Sequence, residues 1–173
     1  PAAHIRRSHY DDGMSTPRDA VVLTNLPRFL KHLGHHERDP IASAFAMLLL
    51  DEGGEVVEFW DPEQMDVWRL TIRRGRHLLT FGVERGKSDF VTLRPADEDR
   101  QWPRDIPLQF AVFGWARAHS IDLVLDDPLH FPADILAHGT LALDWLGAGN
   151  EDVLLRINAA YDEGLGRSAA AQG

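Results

Sequence analysis

Residues 67–73 read Val67-Trp68-Arg69-Leu70-Thr71-Ile72-Arg73, and the alternation in them decides the fold. Trp68, Leu70 and Ile72 fall on one side of an extended chain, and Arg69, Thr71 and Arg73 on the other. That period of two marks a strand with one buried and one wet face. Arg74-Gly75 is a turn, after which His77, Leu79, Phe81 and Val83 again share a side. A second turn, Arg85-Gly86-Lys87-Ser88, leads into a strand over residues 89–94, and residues 55–60 form a strand ahead of the loop 61–66. Connections this short join antiparallel neighbours. Residues 55–94 therefore read as a four-stranded meander with at least one face that needs cover.

The cover comes from helices on both sides of it in the chain. Thr16-Pro17-Arg18-Asp19 is a helix start, with a hydroxyl cap and proline in the first turn. Pro27 interrupts the helical pattern: either residues 21–24 are a short strand or turn, or one helix breaks at Leu26. Leu26, Phe29, Leu30 and Leu33 then keep helical spacing up to Gly34. Asp39-Pro40 opens the next helix, whose stripe is Ile41, Ala44, Phe45, Leu48 and Leu49, and Gly53-Gly54 ends it.

Beyond the meander, a polar link over residues 95–104 precedes a helix starting at Asp105-Ile106-Pro107, with Leu108, Ala111, Val112, Trp115 and His119 on one face. Residues 121–125 read as a short strand placed to join an edge of the sheet. A helix over about residues 132–146 is expected to stop at Gly147, and Asn150-Glu151-Asp152 caps the last helix with two acids on its dipole. The expected fold is α+β: an antiparallel four- to five-stranded meander sheet with helices before and after it, packed on one face. Residues 17–165 form one domain between a loose tail, 1–16, and a frayed one, 166–173.

A chain of 173 residues suits one domain. With 44% hydrophobic and 26% charged residues it has the balance of an ordinary globular protein. No apolar run nears the roughly 20 residues that span a bilayer, and the first residues lack the apolar core of a signal peptide. With no cysteine, thiolate metal sites and disulfides are ruled out. A cytoplasmic location is the expectation. The net charge of −9 opposes direct nucleic-acid binding and suits a protein partner, a basic one included.

Charge is sharply divided along the meander. Residues 51–66 hold seven acids and no lysine or arginine, whereas residues 67–94 hold seven bases against two acids. The plainer reading is cross-strand pairing, with Glu58 beside Arg69. The functional reading is a two-signed surface. Its protein-binding candidates are Asp51, Glu52, Asp61, Glu63 and Asp66, with Trp102 either an interaction anchor or a plug between sheet and helix. Arg69, Arg73, Arg74 and Arg76 are candidate anion ligands, because guanidinium forks match phosphate oxygens. The Gly86-Lys87-Ser88 run lacks the spacing of a phosphate loop.

His32, His35 and His36 crowd one segment as a weak metal candidate, but Gly34 breaks the face they need to share. His77, His119 and His138 read as hydrogen-bonded structural histidines. Asp122, Asp126 and Asp127 bracket a strand end where carboxylates can gather for acid–base work, though Asp-Asp-Pro is equally an exit turn. No hydroxyl sits in a nucleophile motif, and no cofactor is implied. The leading expectation is a small acidic protein that acts by binding another protein, as inhibitors, immunity proteins and chaperone-like adaptors do. The alternatives are a hydrolase or metal-dependent enzyme using the histidines and carboxylates, and a nucleic-acid-associated regulator using the arginine-rich strands.

Overall fold

A computed structural model describes residues 27, 39–60, 67–84, 87–88, 91–97, 99–100, 102–123 and 133–170. The tail 1–16, the helix signals over residues 16–34 other than Pro27, the loop 61–66, Asp126 and Asp127, and residues 171–173 lie outside them.

Helix α1 (Asp39–Asp51) ends as its glycines dictate. Gly53 takes φ of +84°, the Gly54 N–H reaches the Leu49 carbonyl at 2.8 Å, and the Gly53 N–H reaches that of Leu50 at 3.1 Å. Those two bonds are the Schellman pattern, which satisfies carbonyls the helix leaves orphaned. A side chain at Gly54 would strike the Leu49 carbonyl oxygen at 2.6 Å, so the second glycine is fixed by space rather than by φ.

The sheet comes next: β1 (Glu55–Trp60), β2 (Val67–Arg74), β3 (His77–Glu84), β4 (Lys87–Ser88), β5 (Thr92–Pro95) and β6 (Ile106–Pro107). All pairings are antiparallel in the order β1-β2-β3-β5-β6, with β4 also on β3. Arg74 pairs with His77, leaving a two-residue loop whose first member, Gly75, has φ of +57°. That matches a II′ hairpin turn, whose twist suits that of the strands. The register of β1 on β2 shifts between Val56 and Glu58, so Val57 is the extra residue of a bulge.

Two expectations need correcting. Lys87 and Ser88, expected within a turn, pair with β3 as β4, and of the strand expected over residues 89–94 the described part is β5, in a register on β3 one residue off that of β4. The fifth strand of the sheet is β6, not residues 121–125; Ile121–Leu123 is not a strand, and Val124 and Leu125 lie outside the described residues. The physical reason is helix termination. Helix α2 (Leu108–Ala118) closes with Ser120 at φ 58°, the Ile121 N–H on the Ala116 carbonyl at 2.8 Å and the Ser120 N–H on that of Arg117 at 3.3 Å. Ile121 therefore belongs to a Schellman stop.

Helix α3 (Ala133–Trp145) is separated from α4 (Glu151–Ala170) by a kink over Leu146–Asn150, where Gly149 takes a non-helical φ of 104°. Asn150 bonds backwards, its Nδ2 donating to the Trp145 carbonyl at 2.8 Å. Helix α4 is helical to Ala170.

The helices lie on one face of the sheet, as the alternation requires. Phe59, Trp68, Leu70, Ile72, Leu79, Phe81, Leu93 and Ile106 are buried there with Phe45, Leu49, Leu108, Phe110 and Ala111 from the helices. The Phe45 and Phe81 rings lie 6.4 Å apart. Helix α2 packs against α3 and α4, and α1 against α3. None of the described helices is long and apolar enough to cross a membrane.

Candidate binding face and arginine cleft

The second face of the sheet is set by the register. Trp60 stands opposite Arg69, Glu58 opposite Thr71, and Glu55 opposite Arg73. The expected Glu58–Arg69 pair is therefore not made: Glu58 is two residues out of register with Arg69, whose place opposite is taken by Trp60. Arg73 lies 4.0 Å from Glu55 with both side chains well exposed, a contact worth little. Thr71 is buried between its neighbours and shares a 3.2 Å hydrogen bond with Thr80. Trp60, Arg69, Arg73 and Arg94 are exposed.

Arg74 has the opposite parity and leaves this face. It is held by Glu52 and, at 3.3 Å, by Asp144 on α3. The four arginines proposed as anion ligands are thus divided: Arg69 and Arg73 share the open face, Arg76 sits in the turn beside it, and Arg74 is a strut on the helix side. Among the acids, Asp51 and Glu52 are exposed at the end of α1, with Glu52 engaged by Arg74. Asp61, Glu63 and Asp66 lie outside the described residues.

At the end of the open face is a cleft of about 520 Å³. Its apolar lining is Val57, Leu78, Pro95, Ala96 and Trp102; Arg73, Arg94, Arg100 and Arg104 supply cations, and Asp97 and Asp105 the anions. A neighbouring hollow of about 320 Å³ shares Arg73, Ala96, Asp97 and Arg100 and adds Gly75 and Arg76. The link after β5 builds one wall, anchored by the Ala96 N–H on the Arg76 carbonyl at 2.8 Å and the Asp99 N–H on the Asp97 carboxylate at 3.1 Å.

Behind that wall is a buried polar cluster. Glu151, at the start of α4, accepts from Arg100 through both oxygens, Nη1 at 3.0 Å and Nη2 at 2.9 Å. The same carboxylate lies 3.1 Å from His77 Nε2, and both side chains are almost fully buried. The ring of Trp102 stands 6.1 Å from that of His77. Trp102 is half-buried, closing the end of the sheet while facing the cleft. Arg104 is held in a similar way by Asp162 and by Asn158 at 3.1 Å. The clamp explains why Glu151 is not a simple dipole-facing acid: it ties the first turn of α4 to the link and to β3.

Burial pushes the His77 pKa below its ordinary value; Glu151 pulls it up, and Arg76 and Arg100 push it down. The neutral ring with its proton on Nε2 suits the carboxylate opposite. Since the unfolded chain takes up this proton at higher pH than the native one, the related stability is complete above about pH 6.5. It is lost as pH falls from there through the depressed native value. Denaturant melts at pH 7.5 and pH 5.5 should therefore show a larger loss for the native sequence than for His77→Gln. Equal losses would show that this histidine does not contribute to acid sensitivity.

The remaining candidates do not converge on a site. His119 and His138 flank the Trp115 ring, each with centroids 5.0 Å from it, and Asp122 is exposed beyond α2. His32, His35 and His36 lie outside the described residues, among which no group of three histidines or carboxylates has metal-site geometry. Arg94, Arg100, Arg104 and Glu151 were not singled out as site residues in the sequence. The usable signal was His77: a polar group at an inward position of a strand requires a buried partner. The chain matches no known family model, and comparison with curated proteins and with solved structures gives no match.

Proposed function

We propose that the protein acts by binding another protein through the open face of its sheet, in the manner of an inhibitor, immunity protein or chaperone-like adaptor. The observation behind this reading is Trp60, 44% exposed and in register beside Arg69 on the face away from the helices. Tryptophan and arginine are the residue types that most often dominate interface energetics. The face carries both signs, Arg69 and Arg73 with Glu55 and Glu58, which suits a partner of matching two-signed pattern. A photo-reactive amino acid at position 60 should cross-link a partner in the native host, whereas the same group at Met47, exposed on α1, should not. Arg69→Glu should abolish the position-60 product. Equal cross-linking at both positions, or none at 60, would remove this reading.

A further inference from the structure

We infer that the cleft at the end of the sheet is a binding site for a compact anion, a phosphate or carboxylate group carried on a small apolar body. The inference does not depend on the protein-binding reading. A volume of about 520 Å³ falls within the roughly 300–1,000 Å³ of small-molecule sites. The lining separates by chemistry: Val57, Leu78, Pro95 and Trp102 form an apolar surface, with arginines set around it.

Those arginines are not equivalent. Arg100 is fixed by Glu151, and Arg104 by Asp162 and Asn158, so both are oriented but largely neutralised. Arg73 has only its loose contact with Glu55. Arg94 and, in the adjoining hollow, Arg76 make no ion pair among the described residues. Surplus cation therefore sits at Arg94, Arg76 and Arg73, two from strands and one from a tight turn. Guanidinium groups in such an arrangement suit the paired oxygens of a carboxylate or phosphate.

Asp97, Asp105 and the net charge of −9 set the upper limit on the ligand's charge. A long polyanion meets repulsion along its length, whereas a ligand with one or two charges gains the local contacts alone. The apolar surface selects for a body attached to the anion.

Calorimetric titration of the full chain at low salt with phenyl phosphate, benzoate, inorganic phosphate and an oligothymidylate tests this. Phenyl phosphate or benzoate should bind saturably and more tightly than inorganic phosphate, and whichever binds better identifies the anion. Arg94→Ser and Arg76→Ser, both at exposed positions, should each weaken that binding about tenfold, as expected for loss of one charge-assisted hydrogen bond. Arg117→Ser, at the far end of α2, should leave it unchanged. No saturable binding of either aromatic anion overturns the inference. So does equal weakening in all three variants, or binding of the oligonucleotide alone.

Discussion

Leu70→Ala should lower the unfolding free energy by about 2–5 kcal/mol, the range for large-to-small replacements in a packed core. Leu70 has no exposed surface and sits in the second strand of the ladder, between Phe59 on β1 and Phe81 on β3. Both neighbours are held by their own strands, and Phe81 also meets Phe45 of α1. The surroundings therefore have little freedom to collapse into the space left, which places the cost in the upper part of that range. Equilibrium denaturation in urea measures it. A loss below about half a kcal/mol, the size expected at a surface position, would mean that the two faces of β2 are reversed.

Glu151→Ala should be the most damaging change at a charged residue. It removes the acceptor from His77, which is 1% exposed, and both acceptors from Arg100. Breaking a fully buried ion pair from one side costs about 3–5 kcal/mol. The Arg100 side chain is 39% exposed and can turn towards water, which reduces the expected loss to about 2–3 kcal/mol. A double-mutant cycle with Arg100→Gln separates the clamp from general damage to α4. Residues sharing one hydrogen-bonded pair should show coupling of at least about 1 kcal/mol. Strictly additive losses would show that the two groups do not support each other.

Most of the fold was legible because local signals agreed with the global one. The alternation in residues 67–73 identified the buried side of β2, and Gly53-Gly54 identified the end of α1. What failed did so for identifiable reasons. Residues 121–125 have strand composition, but a serine took the left-handed position that glycine usually marks, so the Schellman stop was hidden. Asn150 looked like a cap and was one, but for the helix before it. The cleft was invisible for a different reason. Its cations come from β2, β5, the turn at Gly75 and the link, positions up to 31 residues apart along the chain. Only the register of the sheet brings them together. Glu151 illustrates the same point: two acids at a helix start are explained by the dipole alone until a buried histidine is placed opposite one of them.

Among the described residues the sheet is bounded by β1 and β6, and these two strands carry a consequence for how anything can attach to it. A bare edge offers a row of backbone donors and acceptors to a foreign strand. Here β1 is bent by the bulge at Val57 and bears Glu55 and Glu58, while β6 is two residues long and ends in Pro107, which has no N–H to give. Both margins discourage strand addition and edge-to-edge stacking of copies. Main-chain recognition tolerates almost any sequence in the incoming segment, whereas a face read through Trp60 and a set of arginines does not. Under the proposed binding role, selectivity resides in a few side chains, and single substitutions among them should alter what the protein accepts without loosening the sheet that carries them.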